Sequence, residues 1–132
     1  MKKNKYLISG ATEQGLRERN EDSYDFAVNN SNQALLIVCD GIGSDEHSEI
    51  VSSSTTKLFT DEFKKINRID DITMFFEKTL NEAYEHITNI SFNYLKGKKM
   101  GTTLVMAFIN TDGKVTIYNI GDSRLFYFNK KN

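Results

Sequence analysis

The chain has 132 residues, of which 39% are hydrophobic and 27% are charged, and its formal net charge is −1. This length and composition predict one globular domain over residues 1–132. The near-neutral charge argues against broad binding of nucleic acid or of an anionic membrane, because such binding needs a cationic excess. The single cysteine, Cys39, excludes an internal disulfide, and no transmembrane run or signal peptide is apparent. These features predict a cytoplasmic protein.

The first third of the chain has the pattern of strands. Residues 5–12 (KYLISGAT) predict a strand that enters a glycine turn, and residues 22–28 alternate polar and apolar side chains. Residues 34–39 (ALLIVC) form a continuous apolar run, which is typical of a strand buried on both faces. The polar cluster NNSN at 29–32 predicts that these last two strands form a hairpin.

The middle of the chain has helical periodicity. Apolar residues recur at helical spacing over 50–66, and Ser44 or Asp45 is the expected cap of this helix. A second apolar stripe over 72–94, with Asp70 or Asp71 as the expected cap, predicts another helix.

Strand patterns return in the last third. Residues 102–110 and 114–120 flank an Asp-Gly turn, which is a strong hairpin signal, and residues 125–128 predict a final strand. The predicted order is therefore β-β-β-α-α-β-β-β. Such segregated elements predict an α+β fold, in which the helix pair packs on one face of an antiparallel sheet.

Asp40 is the most informative single residue. It follows the apolar run directly and precedes Gly41, which would allow a sharp turn of the backbone. An unpaired buried carboxylate would cost several kcal/mol, so Asp40 either hydrogen-bonds within a plain turn or binds a ligand. Hard cations such as Mg²⁺ or Mn²⁺ prefer oxygen ligands of this kind.

Further charged residues should meet Asp40 at one end of the sheet. Glu21 and Asp22 open the strand that pairs with the one ending at Asp40, so three carboxylates are expected to converge. Carboxylates at that density favour a cation between them. Arg17 lies just upstream, and its guanidinium could hold a phosphate, although a solvated basic turn is an equal alternative.

Four short motifs occur in order along the chain: Arg17 with NED at 20–22, IVCDGIG at 37–43, GTT at 101–103 and NIGDSR at 119–124. Together they resemble the protein phosphatase 2C-type (PPM) metal-dependent serine/threonine phosphatases, over about residues 7–128. The resemblance implies a sandwich of two antiparallel sheets with helix pairs. It also implies dephosphorylation of phosphoserine and phosphothreonine in proteins, using water activated by two Mn²⁺ or Mg²⁺ ions.

The resemblance also implies roles for individual residues. Asp40 would bridge two metal ions, the Gly41 carbonyl would bind one of them, and Glu21 would bind the other directly or through water. Arg17 would hold the substrate phosphate. Residues expected to support the site are Asp22, Thr102, Thr103, Asp122 and Arg124.

Two departures from the family pattern qualify these expectations. The loop SDEHSE at 44–49 differs from the usual sequence, and His47 is displaced from the position where a proton donor is expected. The match also corresponds to the N-terminal half of the catalytic domain, a truncated domain without two further metal-binding aspartates. A single or weakly bound metal ion is therefore expected.

Two functions from different classes remain open. The chain is either a metal-dependent protein phosphatase or a non-catalytic pseudophosphatase module that binds a partner or phosphoprotein, or regulates a full-length phosphatase. A nucleotide- or calcium-binding loop is disfavoured, because residues 41–46 lack a third glycine and the spacing of calcium ligands. Apolar side chains on both faces of 125–128 predict that a homodimer or another protein covers the open sheet.

Overall fold

The computed structural model describes residues 5–42 and 47–130. Both expected caps of the first helix, Ser44 and Asp45, lie outside this described part. The described elements run in chain order as β1 (Asp22–Val28), β2 (Ala34–Ile42), α1 (Ser48–Lys64), α2 (Ile72–Tyr94), β3 (Gly101–Thr102), β4 (Leu104–Ile109) and β5 (Val115–Ile120). The predicted α+β class is confirmed.

The strands form one antiparallel sheet in the order β1-β2-β4-β5, and the short β3 pairs with the end of β2. The predicted hairpin between β1 and β2 is present. Its turn is fixed by the Asn29 side-chain oxygen, which accepts hydrogen bonds from the backbone N–H groups of Ser31 and Gln33 at 3.1 and 2.9 Å. Such local bonding explains why asparagine can replace proline and glycine in this turn.

One face of the sheet, the inner face, carries the core. Alternate residues of β2 and β4 point toward the helices, and four phenylalanines of the helices pack between the layers. The edge strand β5 joins this core through Tyr118, whose ring stacks on Phe76 at a centroid distance of 4.0 Å. The principal core side chains are Leu35, Ile37, Phe59, Phe63, Phe75, Phe76, Leu104, Met106 and Phe108.

The opposite face of the sheet, the outer face, is apolar and is not covered by either helix. Its large exposed side chains are Tyr24, Phe26, Val28, Val38, Val115 and Ile117. The segment before β1 lies against one side of it, where the Tyr24 hydroxyl donates to the Gly10 carbonyl at 3.0 Å. A Cβ at Gly10 would overlap the Tyr24 ring, so a larger residue there would make the ring move.

The strands predicted at 5–12 and 125–128 are not strands in the structure. A strand needs a neighbouring backbone that pairs with its N–H and C=O groups, and the described chain offers neither segment such a neighbour. The predicted strand at 102–110 is divided into β3 and β4 at Thr103. Within the described residues, no helix combines the length and apolarity that a membrane span requires.

Candidate functional site

Asp40 lies within β2 rather than after it. The strand continues to Ile42 because β1 and β3 both pair with its final residues, so the prediction that the strand ends at Cys39 is wrong. Asp40 is the direct cross-strand partner of Asp22. By alternation along the two strands, both carboxyl groups emerge on the side of the outer face, with Tyr24 and Val38.

The two carboxyl groups are close enough to interact strongly. Partial burial raises the pKa of Asp40, and a hydrogen bond with the Asp22 carboxyl and the negative charges of Asp22 and Asp122 raise it further. The Arg17 guanidinium acts in the opposite direction. A cluster of like charges with one nearby cation has a clear affinity for additional positive charge.

An open cavity of about 570 Å³ adjoins this carboxylate pair. Its lining residues are Arg17, Glu21, Asp40, Gly41, Ile42, Thr103, Gly121 and Asp122. Six residues predicted for the site therefore line one cavity: Arg17, Glu21, Asp40, Gly41, Thr103 and Asp122. Asp22 does not line the cavity, but it hydrogen-bonds with Asp40, which does. Arg124 and the displaced His47 are not among the lining residues.

Side-chain hydrogen bonds order the loop that carries Arg17. The Gln14 amide donates to the carbonyls of Arg17 and Glu18 at 2.7 and 2.9 Å. The Asn20 side-chain oxygen accepts from the Asp22 N–H at 3.1 Å, and its amide donates to Thr12 at 2.8 Å. This loop therefore presents Arg17 beside the ends of β1 and β2.

Gly41 has a different role from the predicted sharp turn. It lies in β2 on the inner side, and a Cβ there would come within 2.4 Å of the Ser48 carbonyl oxygen at the start of α1. Its N–H donates to the Glu21 carbonyl at 2.9 Å. Glycine is needed because the helix approaches the strand closely, and the prediction of a turn at this residue is wrong.

The backbone of Asp40 is held by the GTT motif. The Thr102 hydroxyl and the Thr103 N–H donate to the Asp40 carbonyl at 3.1 and 2.8 Å, and the Asp40 N–H donates to the Thr103 hydroxyl at 3.0 Å. The Thr103 hydroxyl also hydrogen-bonds the Ser123 hydroxyl at 2.7 Å. Ser123 was not singled out in the sequence, although it lies inside the GDSR motif.

The donor chemistry of the site fits a divalent cation. Carboxylate oxygens from Glu21, Asp40 and Asp122 border the cavity, and hard cations such as Mg²⁺ and Mn²⁺ take oxygen ligands. Across residues 5–42 and 47–130, no three or more His, Cys, Asp or Glu side chains are grouped to hold a metal ion. Of the three carboxylates predicted to converge, Asp22 and Asp40 are in contact, and Glu21 lines the same cavity as Asp40.

Cys39 does not contribute a nucleophile. It is completely buried on the inner face, and burial raises the pKa of its thiol to about 12. The thiolate is the nucleophilic form of cysteine, so a buried thiol of this kind is inert.

The raised pKa of Asp40 has a consequence for stability. A carboxyl group whose pKa is raised by folding contributes stability at low pH and loses it as the pH rises through the folded-state pKa. In the presence of a chelator, Asp40→Asn should therefore melt a few degrees above the parent chain at pH 7. The difference in melting temperature should disappear below about pH 3.5, where the Asp40 carboxyl of the parent chain is largely protonated and therefore as uncharged as the asparagine.

This prediction is checked by thermal unfolding followed by circular dichroism across that pH range. Asp70→Asn is the matched control, because Asp70 is exposed and bonded only to exposed Arg68. A lower melting temperature for Asp40→Asn than for the parent chain at pH 7 would contradict the prediction.

Comparison with known proteins gives a consistent result. The sequence model described as "Protein phosphatase 2C" matches residues 10–132. A relative named "Serine/threonine phosphatase stp", from Listeria monocytogenes serotype 4b, is 33% identical over 83% of this chain and 44% of its own length. A "Putative protein phosphatase" from Mycoplasma genitalium is 32% identical over 93% of this chain and 50% of its own length. The chain spans about half the length of these relatives.

Solved structures agree with the sequence comparison. "Serine/threonine phosphatase Stp1" from Staphylococcus aureus is similar with a TM-score of 0.76 and 27% identity, over 92% of this chain and 51% of that one. A "bacterial serine phosphatase" bearing an R161E mutation is similar with a TM-score of 0.76 and 29% identity, over 86% and 52% of the two chains. The sequence match covers nearly the whole chain, and the folds agree over the region that contains the site. The chain belongs to the protein phosphatase 2C family.

Proposed function

We propose that the chain acts in metal-dependent hydrolysis of phosphoserine and phosphothreonine in proteins, through the site centred on Asp40. The observation that carries the proposal is the contact between Asp22 and Asp40 beside a cavity that Arg17 also lines. This places acceptors for a cation and a donor for a phosphate around one open space. The relatives named as serine/threonine phosphatases support the same substrate class.

The residues proposed to hold Mn²⁺ or Mg²⁺ are Asp40, Glu21 and the Gly41 carbonyl. Their support is the oxygen character of the donors and the negative charge that raises the pKa of Asp40. A bound divalent cation would supply Lewis-acid chemistry, which stabilises charge on phosphoryl oxygens and acidifies water.

The other residues of the chain have complementary roles in this proposal. Arg17 binds the phosphoryl oxygens and aligns the monoester, because a guanidinium matches a phosphate with two parallel hydrogen bonds. Asp22 is the cross-strand partner of Asp40 and hydrogen-bonds with its carboxyl on the outer side of the sheet. Asp122 also lines the cavity and adds negative charge near Asp40. The cytoplasmic location expected from the sequence stays a prediction.

A specific observation favours the non-catalytic alternative. The described residues do not bring three metal-holding side chains together, and Arg17 could bind a phosphoprotein without hydrolysing it. Such a module would bind a phosphorylated partner or regulate a full-length phosphatase.

Hydrolysis of p-nitrophenyl phosphate and of a phosphothreonine peptide with Mn²⁺ distinguishes the two functions. The parent chain should show turnover that requires Mn²⁺, and Asp40→Asn should lose roughly 100-fold or more, because a charged group acting on the transition state is removed. Arg17→Ala should mainly raise KM for the peptide. Asp70→Asn should match the parent, because Asp70 is exposed and distant in sequence from the site.

The hydrolysis assay can contradict either the proposed site or the catalytic function. Turnover that is equal in the parent chain and Asp40→Asn would contradict the proposed site. A folded parent chain without turnover that still binds the phosphopeptide, and loses this binding in Arg17→Ala, would support the non-catalytic alternative.

We also propose that a second copy of the chain covers the outer face. Apart from Asp22 and Asp40 at one end, the exposed large side chains there are apolar or aromatic, so two copies could meet over the rest of the face without burying a charge. Four strands about 4.8 Å apart and about 20 Å long give each copy a plane of roughly 400 Å². A standard interface needs about 800 Å² from each partner, so the exposed side chains of 125–128 would have to contribute as well.

Light scattering after size exclusion at micromolar concentration tests this partner. The parent chain should be a dimer, and Ile117→Lys should shift it to the monomer because a charge would be buried in the interface. Met74→Lys is the matched control, since Met74 is an exposed apolar residue on α2. A monodisperse monomer of the parent chain would contradict the proposal, and so would an equal effect of both substitutions.

A further inference from the structure

We propose that Thr103 and Ser123 are positioning residues for Asp40, and this inference rests on the proposed function of the Asp40 site. Their hydroxyl groups form a short chain that ends on the backbone of Asp40. Ser123 Oγ lies 2.7 Å from Thr103 Oγ1, which lies 3.0 Å from the Asp40 nitrogen and accepts its hydrogen bond. Ser123 is thereby connected to the proposed metal ligand without touching it.

Thr103 is held in place from two sides. It occupies the break between β3 and β4, it is almost completely buried, and its own N–H donates to the Asp40 carbonyl at 2.8 Å. The backbone N–H and C=O of Asp40 are therefore both bonded to this one residue. A reciprocal pair of bonds fixes the rotation of the peptide groups on either side of the Asp40 Cα, and so the direction in which its carboxyl leaves the strand.

The corner after β5 is shaped so that Ser123 can reach Thr103. Gly121 has a φ of 102°, in the region that favours glycine, and a Cβ there would lie 2.8 Å from Thr103 Cγ2. The Asn119 amide donates to the Ser123 carbonyl at 3.1 Å and closes the corner. The GDSR corner thus contributes Asp122 to the cavity and, one residue later, a hydroxyl to the support of Asp40.

Electrostatics explains why Asp40 needs this support. The negative charges of Asp22 and Asp122 destabilise its ionised form, so a fixed backbone is needed to hold the Asp40 carboxylate beside them. Groups that orient a metal ligand typically change metal affinity by about 10- to 100-fold when they are removed. The hydroxyl chain is placed to act in this way on Asp40.

The test uses four variants of the whole chain and one control. Thr103→Val removes the Thr103 hydroxyl at nearly constant volume, whereas Thr103→Ser keeps a hydroxyl there. Ser123→Ala removes the hydroxyl farther from Asp40. The fourth variant combines Thr103→Val with Ser123→Ala. Thr55→Val is the control, because Thr55 is equally buried and its hydroxyl bonds only the Val51 carbonyl of its own helix.

Two measurements are made on each variant. Amide exchange and chemical shift of Asp40 by NMR in the presence of a chelator report on the hydroxyl chain itself. Titration of free Mn²⁺ by electron paramagnetic resonance reports on metal affinity.

Thr103→Val and Ser123→Ala should each change the Asp40 amide and weaken Mn²⁺ binding by roughly tenfold. The double variant should bind Mn²⁺ no more weakly than Thr103→Val, because both residues act through one chain of bonds. Thr103→Ser should stay close to the parent chain, as should Thr55→Val. An unchanged Asp40 amide in Ser123→Ala, or additive losses in the double variant, would overturn the inference.

Different results would contradict the proposed function and the role of Thr103 and Ser123. If the parent chain binds no Mn²⁺ at millimolar concentration, the proposed function fails for this chain, but the amide measurement still decides whether Ser123 and Thr103 hold Asp40.

Discussion

The pairing of Asp22 with Asp40 is the constraint on which the site depends. Antiparallel register places two carboxyl groups directly opposite each other at one end of the sheet, and both face away from the core. Like charges opposite each other on adjacent strands are unfavourable. Together with partial burial, the Asp22 charge therefore raises the pKa of Asp40. This like-charge pair lies beside the cavity.

The surrounding structure holds this unfavourable pair in place. The core of phenylalanines fixes β2 against the helices, and the close approach of α1 at Gly41 anchors the strand next to Asp40. Thr102 and Thr103 bind the Asp40 backbone, while the ordered loop before β1 supplies the positive charge of Arg17. The outer face lies on the same side as the two carboxyl groups. Whatever covers that face would therefore also border the cavity.

Local signals in the sequence were sufficient for the main elements. The apolar run at 34–39, the NNSN turn and the two helical stripes are each typical of one kind of structure. The motifs around Arg17 and Asp40 indicated the candidate site. Features that depend on distant partners could not be predicted in this way. β2 extends to Ile42 because β3, about sixty residues later, pairs with it. The role of Gly41 follows from the approach of α1. The segments at 5–12 and 125–128 have strand patterns, but the described residues offer them no neighbouring strand.

The most direct test of the account is a map of Mn²⁺ binding on the isotopically labelled chain. Substoichiometric Mn²⁺ broadens the NMR signals of nearby amides, so the first signals to be lost identify the site. The account predicts that these are the amides of residues 17–22, 40–42 and 121–123, which surround the cavity. First losses at exposed acidic residues elsewhere, such as the aspartate pair at 70–71, with unchanged signals around Asp40, would contradict it.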